Sequence, residues 1–234
     1  MPLVSSFSAA SKRGFAGLGA QQYYSNLFVA SQSDNITMPA NSSLAPGAVA
    51  FTIEFFIYLN SVGAQQTVFS CGHTTTVPPY GFNIIVWTNG TLRITWPNSL
   101  GTTQTYASTT AISTGSWSYV VFTRRSTAIG DSQWYINGSS NTAGRVDGSF
   151  SGASSLATVI GRTRNSSNYL DAYLSNLRYR VGVGVSSSSV PTAPLTADAN
   201  TVLLTCQSST IIDNASPPNT LTNNGVTIST LNPF

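Results

Sequence analysis

The stretch from Trp117 to Gly138 admits little except a pair of β-strands. It reads Trp-Ser-Tyr-Val-Val-Phe-Thr-Arg-Arg, a polar link, and then Gln-Trp-Tyr-Ile-Asn-Gly. Val121 and Thr123 alternate with Val120, Phe122 and Arg124, which is the two-residue period of a sheet with both faces visible. Tyr135 and Asn137 alternate in the same way with Trp134 and Ile136. Asn137-Gly138 then supplies two residues that tolerate positive φ, as the centre of a two-residue hairpin requires. The stretch predicts a strand pair of a sandwich and is silent on chemistry.

Similar runs recur along the chain: Leu27–Ala30, Asn35–Met38, Phe51–Leu59 and Gln66–Cys71. A hairpin follows, Phe82–Trp87 and Leu92–Trp96 around Thr88-Asn89-Gly90-Thr91, again with Asn-Gly at the turn. Thr102–Ala107, Leu156–Gly161, Tyr169–Val181, Thr201–Cys206, Thr210–Ile212 and Val226–Ile228 complete the set. Strand signals spaced about 8–12 residues apart, with no long helical period, predict an all-β sandwich or barrel. The 234 residues suit one large domain. A chain of this size buries roughly 70–75% of its unfolded surface and needs no staples. Residues 1–24 differ: Ser, Ala and Gly surround isolated Phe7, Phe15, Leu18 and Tyr23-Tyr24. They read as an N-terminal attachment arm, with Phe7, Lys12, Arg13 and Phe15 as its partner-contacting residues, and 25–234 as the sandwich domain. The serine-rich Val183–Val190 reads as a loop.

Charged residues make up only 7% of the chain, against a typical ~25%. Aromatic residues at 11% argue against disorder. Solubility therefore falls to Ser, Thr, Asn and Gln, a surface common in extracellular β-proteins, adhesins and virion components. Ten basic and seven acidic residues leave a net charge of +3. Arg162, Arg164, Arg178 and Arg180 lie close in sequence; a local positive patch is one reading, and a solvated strand face and loop is the preferred one. That footprint is too sparse for nucleic acid. Cys71 and Cys206 allow one bridge, but each sits in an apolar strand run and reads as a buried free thiol. No segment approaches the ~20 apolar residues of a membrane span. No signal peptide opens the chain, so export would need another route, such as assembly into a particle released by lysis.

Several segments resemble the laminin-G-like branch of the concanavalin A-like lectin/glucanase fold. They are Phe51-Thr52-Ile53-Glu54-Phe55-Phe56, Trp117 to Arg124, Trp134-Tyr135-Ile136-Asn137-Gly138, Ile160-Gly161-Arg162, and Tyr173-Leu174-Ser175-Asn176-Leu177-Arg178-Tyr179. The resemblance covers roughly residues 26–230 and implies two antiparallel sheets packed as a jelly roll. The segments Pro191 to Thr196, Asn200 to Gln207, Asp213 and Asn232-Pro233-Phe234, with the opening Ser6 to Phe15, are similar to virion proteins of marine bacteriophages. That similarity implies a position on the virion surface, with capsid or appendage subunits as partners. A homo-oligomer is compatible with it. With no fibre shaft or coiled-coil heptads, a capsid decoration or short appendage is favoured over a tail-fibre tip. The alternative is a tail-fibre or adhesin module engaging host or environmental glycans.

Retaining glycanases of this fold carry strand carboxylates placed for a nucleophile and an acid/base roughly 5 Å apart. This chain has a single glutamate, Glu54, and no other acid between Asp34 and Asp131. Glu54 thus reads as a paired or strand-edge structural residue, and no catalytic residue is assigned. His73, the only histidine, lacks the carboxylate orienter that a serine or cysteine nucleophile would need. With the two cysteines it has no zinc spacing. Calcium favours several carboxylates among six to eight oxygens. Asp34, Asp131, Asp147, Asp171, Asp198 and Asp213 stand singly, so no cofactor or metal is expected beyond a weak Ca²⁺ site. Sugar binding needs aromatic faces and planar polar groups. Tyr80, Trp87, Trp96, Tyr106, Tyr169 and Tyr173 supply the former, although about half should be core or cross-strand residues. The loop from Arg162 to Tyr169, with Arg164, Asn165 and Asn168, is the candidate ligand site.

Overall fold

A computed structural model describes residues 22–72, 81–97, 103–128, 130–141 and 156–234. The first strands are β1 (Ser25–Phe28), β2 (Asn35–Met38), β3 (Phe51–Leu59) and β4 (Gln66–Cys71). There follow β5 (Phe82–Val86), β6 (Thr91–Pro97), β7 (Thr103–Ala111), β8 (Trp117–Arg124), β9 (Ser132–Ile136) and β10 (Ser139–Ser140). The last are β11 (Thr158–Ile160), β12 (Ala172–Val181), β13 (Thr201–Thr205), β14 (Thr222–Asn224) and β15 (Thr227–Ser229). Their pairings build two antiparallel sheets. One runs β10-β9-β8-β3-β12-β1-β15, with β13 also on β12, and the other runs β14-β2-β11-β4-β5-β6-β7. This is the two-sheet sandwich expected from the sequence. Among the described residues no helix is long and apolar enough to cross a membrane.

Alternation decides what lies between the sheets. β3 turns Phe51, Ile53, Phe55, Ile57 and Leu59 inward, while Thr52, Glu54 and Phe56 face out. From the other sheet come Phe69, Phe82, Ile84, Leu92, Ile94 and Trp96. Burying each such side chain contributes about 1.5–3 kcal/mol. Phe51 stacks on Phe82 at 5.5 Å and Phe122 meets Trp134 at 4.8 Å. Arg124 shares the inward face of β8 with Val120 and Phe122 and is 1% exposed. Its Nη2 donates to the carbonyls of Gly47 (2.6 Å) and Val49 (2.5 Å). Burial lowers its pKa to about 10.

The outward face of the β3 sheet carries a second apolar patch of Phe56, Tyr119, Val121 and Tyr135. Phe234 covers it, 5.2 Å from Phe56 and 5.5 Å from Tyr23. Tyr24, also within the expected arm, accepts a hydrogen bond from Ser175 Oγ at 2.9 Å. Phe7, Lys12, Arg13 and Phe15 lie outside the described residues.

Two hairpins treat Asn-Gly differently. Asn137 (φ 50°) and Gly138 (φ 80°) are both left-handed, as a two-residue turn demands. At Asn89-Gly90 only the glycine is left-handed (φ 82°). Trp87 N–H donates to Thr91 O at 2.7 Å and Gly90 N–H to Trp87 O at 2.8 Å, which makes a longer loop. Asn89 contributes through its side chain, which accepts from Thr91 N at 3.2 Å. One further expectation is corrected, and one strand was not expected. Thr210–Ile212 forms no strand, because Asp213 gathers that segment into a hydrogen-bonded loop. β14 pairs β2 through residues with no apolar alternation to announce them.

Both cysteines are free and buried. Burial pushes each thiol up to about 12. Cys71 donates to the Leu44 carbonyl at 3.1 Å. The thiols behave as small core residues, and the single-bridge alternative is not realised.

Candidate functional site

β5, β6 and β7 turn Asn83, Ile85, Arg93, Thr95 and Thr105 away from the core, while their neighbours Ile84, Leu92, Ile94 and Tyr106 point into it. The register sets Asn83 beside Thr95, Ile85 beside Arg93, and Thr95 beside Thr105. Together these five make the floor of a cleft.

The wall is the loop after β11. Gly161 opens it at φ +91°, where an added Cβ would lie 2.5 Å from Phe28 Cδ1. That close approach requires glycine. Thr163 N–H donates to Ser167 O at 2.9 Å, and Ser166 N–H donates back to Thr163 O at 3.1 Å. Arg162 Nη1 donates to the carbonyls of Thr163 (2.9 Å) and Arg164 (3.0 Å). Thr67 N–H donates to Asn168 O at 2.8 Å and ties the loop to β4. Wall and floor enclose about 350 Å³, with Gln65, Trp87, Thr163, Arg164, Asn165, Ser167 and Asn168 completing the lining.

The floor is built short of partners. Asn83 is 6% exposed, and its Oδ1 has no hydrogen-bond donor. Arg93 Nε is buried without an acceptor. A buried polar atom left unpaired costs about 1–3 kcal/mol. The Arg93 guanidinium instead lies 3.9 Å from the centre of the Trp87 ring. Such an arrangement can receive a polar ligand with a flat or apolar face.

Of the five expected ligand residues, Arg164, Asn165 and Asn168 line this cleft. Arg162 spends its guanidinium inside the loop and positions it. Tyr169 is half-buried and off the lining. Among the candidate aromatics Trp87 is in the cleft, Trp96 and Tyr106 are core, and Tyr173 packs edge-on to Tyr58 at 5.8 Å. Tyr80 is outside the described residues. The floor residues Asn83, Arg93 and Thr95 went unpredicted. Their signal was present as polar positions alternating with Phe82, Ile84, Leu92, Ile94 and Trp96.

Arg178 and Arg180 are not neighbours of this loop and are not a solvated face. A register shift in β12 after Ser175, with Asn176 at φ 54°, brings Arg178 opposite Glu54. Arg178 Nε and Nη2 reach Glu54 Oε1 at 2.9 and 2.8 Å, and Arg180 Nη2 reaches it at 3.3 Å. Tyr119 Oη donates to Glu54 Oε2. Burial, and then the Glu54 charge, push the Tyr119 phenol well up. Glu54 is therefore paired, but on an interior strand rather than a sheet edge. With Ser187, Ser188 and Ser189 this cluster borders a second cavity of about 320 Å³.

Among the described residues no three His, Cys, Asp or Glu side chains gather as metal ligands. His73 and Asp147 lie outside those residues.

The model of the Concanavalin A-like lectin/glucanases superfamily matches residues 30–180. No curated protein matches the chain in sequence. The fold is similar to a candidate carbohydrate-binding protein from Bacteroides ovatus, at 16% identity and TM-score 0.62. That alignment covers 91% of this chain and 61% of that one, so the chain spans less than two thirds of that protein's length. It is also similar to the heptameric SAP-like pentraxin of Limulus polyphemus, at 15% identity and TM-score 0.53, covering 88% of this chain and 94% of that one. Mouse laminin alpha1 domains LG4-5 match at 14% identity and TM-score 0.50, covering 74% and 48%. At such identities the likeness speaks to fold, and function has to be argued from the site.

Proposed function

The chain belongs to the Concanavalin A-like lectin/glucanases superfamily, and from that premise we propose that it is a non-enzymatic carbohydrate-binding module working through the β5–β6–β7 cleft. The observation that carries this reading is the buried, unpartnered Asn83 Oδ1 in a cleft that the Trp87 ring also lines. A sugar offers what that pair lacks: hydroxyl donors around its edge and an apolar C–H face for an indole. The non-enzymatic part of the reading is supported by Glu54, whose carboxylate is held by Arg178, Arg180 and Tyr119.

Trp87→Ala is expected to weaken glycan affinity at least tenfold, about 1.4 kcal/mol, with the thermal midpoint unchanged. Asn83→Ala should weaken it too without loss of stability, because it removes an unsatisfied group. Calorimetric titration of the best ligand from a glycan array measures both. Wild-type affinity in both variants would remove the cleft from the reading, and silence across a broad array would remove the function.

We further propose that the module is displayed on a phage virion, as a capsid decoration or short appendage. Support comes from the similarity of Ser6 to Phe15 and of the C-terminal segments to phage virion proteins. Deleting residues 1–22, which keeps Tyr23 on Phe234 and Tyr24 O bonded to Ser175 Oγ, is expected to abolish incorporation into purified particles while the sandwich stays folded. Unchanged occupancy would rule out attachment through that segment.

A further inference from the structure

We propose that Asn224-Gly225, where the chain leaves β14 for β15, is a site of spontaneous modification that converts Asn224 to aspartate or isoaspartate. The reaction needs only water. The Gly225 nitrogen attacks Asn224 Cγ, and glycine permits that approach because it carries no Cβ. A C–N bond forms, the Cγ–Nδ2 bond breaks, and ammonia leaves with the proton released from the Gly225 nitrogen. Water then opens the cyclic imide at either carbonyl, giving aspartate or isoaspartate. Nothing is oxidised or reduced.

The chain holds three Asn-Gly pairs, and the fold treats them unequally. At Asn89-Gly90 both reacting groups are tied. Asn89 Oδ1 accepts from Thr91 N at 3.2 Å and from Thr91 Oγ1 at 2.7 Å. Gly90 N–H donates to Trp87 O at 2.8 Å, and Gly90 is buried. At Asn137-Gly138 the carboxamide is tied, with Oδ1 accepting from Tyr119 N at 2.8 Å. Asn137 is held left-handed at φ 50°. Ser188 O walls in Gly138, 3.3 Å from where a Cβ would stand.

Asn224-Gly225 lacks these restraints. Of the three pairs it alone has both residues exposed. Gly225 N–H donates to no acceptor among the described residues. The Asn224 side chain bonds through Nδ2, to Asn35 Oδ1 at 3.1 Å and more loosely to Thr222 O at 3.4 Å. Its Oδ1 is left to water. The Asn223 side chain clasps Val226 through N and O, both at 2.9 Å, so the reactive link is looped between fixed ends.

The position gives the modification a structural consequence. Asn224 stands opposite Asn35 in one sheet, while β15 pairs β1 in the other. Conversion removes the Nδ2 donor to Asn35. It also adds a carboxylate beside Asp34, whose buried Oδ1 has no donor and lies against Gly225. Isoaspartate lengthens the main chain and breaks the β14–β2 register. The clasp between the two sheets should therefore loosen.

The test ages the full chain at neutral and mildly alkaline pH and maps its peptides by mass spectrometry. Asn224 should convert about tenfold or more faster than Asn89 and Asn137, where hydrogen bonds have to open first. The rate should rise with pH, because the Gly225 nitrogen attacks once its proton is lost. In denaturant the three pairs should convert at similar rates. Asn224→Gln, which closes its larger ring slowly, should abolish conversion there and leave the other two unchanged. Equal rates in the folded chain, or faster conversion at Asn89 or Asn137, would overturn the assignment. The same ranking in denaturant would take the selection away from the fold and overturn it too. Hydrogen exchange in the converted chain should quicken across β14 and β2, and unchanged protection there would overturn the loosening.

Discussion

Replacing Glu54 by alanine is expected to destabilise the sandwich by about 3–5 kcal/mol, the range for breaking a buried ion pair from one side. The side chains of Glu54, Arg178 and Arg180 are 5%, 14% and 14% exposed. Without the carboxylate, Arg178 retains only Thr196 O at 2.7 Å, and Arg180 keeps a longer 3.4 Å contact to Asp198. The Tyr119 hydroxyl loses its acceptor as well. For a domain of this size each kcal/mol shifts the thermal midpoint by about 2–4 °C, so a fall of roughly 6–20 °C is predicted. Glu54→Gln preserves volume and one acceptor and should cost less. The surface pair Arg125–Asp131 is the internal contrast at 42% and 33% exposure. Removing Arg125 should cost no more than about 1 kcal/mol. Denaturant unfolding measures all three, and a Glu54→Ala loss below about 1 kcal/mol would show that the cluster behaves like a surface pair.

A loss of similar size is expected for Asp213→Ala, about 3–5 kcal/mol. Asp213 Oδ1 accepts from Leu204 N and Ala215 N, both at 2.9 Å. Oδ2 accepts from Asn219 N at 2.7 Å and Asn219 Nδ2 at 2.6 Å. One carboxylate thus closes the segment after β13 onto the strand itself. Alanine leaves the Leu204 and Ala215 amides buried without acceptors, and each carries a desolvation cost. Asp213→Asn keeps one acceptor oxygen but presents an N–H₂ group to the remaining donors, so its loss should fall between those of alanine and wild type. Hydrogen exchange at Leu204, Ala215 and Asn219 locates the effect. If those amides stay as protected in the alanine variant as in wild type, the carboxylate does not hold the segment.

These two acids show where sequence reading reached its limit. Glu54 could be recognised as structural because no second carboxylate stood near it. Its partners could not, because a register shift at Asn176 decides which β12 residues face β3. Arg178 and Arg180 part from Arg162 and Arg164, their neighbours in sequence, because β12 lies in one sheet and β11, which leads into the Arg162–Arg164 loop, in the other. Arg124 falls in phase with Val120 and Phe122, so its inward face was legible. The carbonyls of Gly47 and Val49 that accept its charge were not. At Asn137-Gly138 local preference matched the turn. At Asn89-Gly90 the hairpin took another loop, and the asparagine side chain served instead of its φ.

The sequence by itself determined most of the strands and the faces of the main ones, because side-chain alternation is a property of each strand alone. It determined the class of fold, and it withheld the paired carboxylates of a retaining glycanase. Only the tertiary structure decided the site. The cleft unites residues from Gln65 to Asn168, and its floor and wall meet because β11 pairs β4 in the sheet that carries β5, β6 and β7. Strand order and register are settled by long-range hydrogen bonds and packing. No local pattern encodes which distant polar positions will face one another, or which buried polar atoms will be left without a partner.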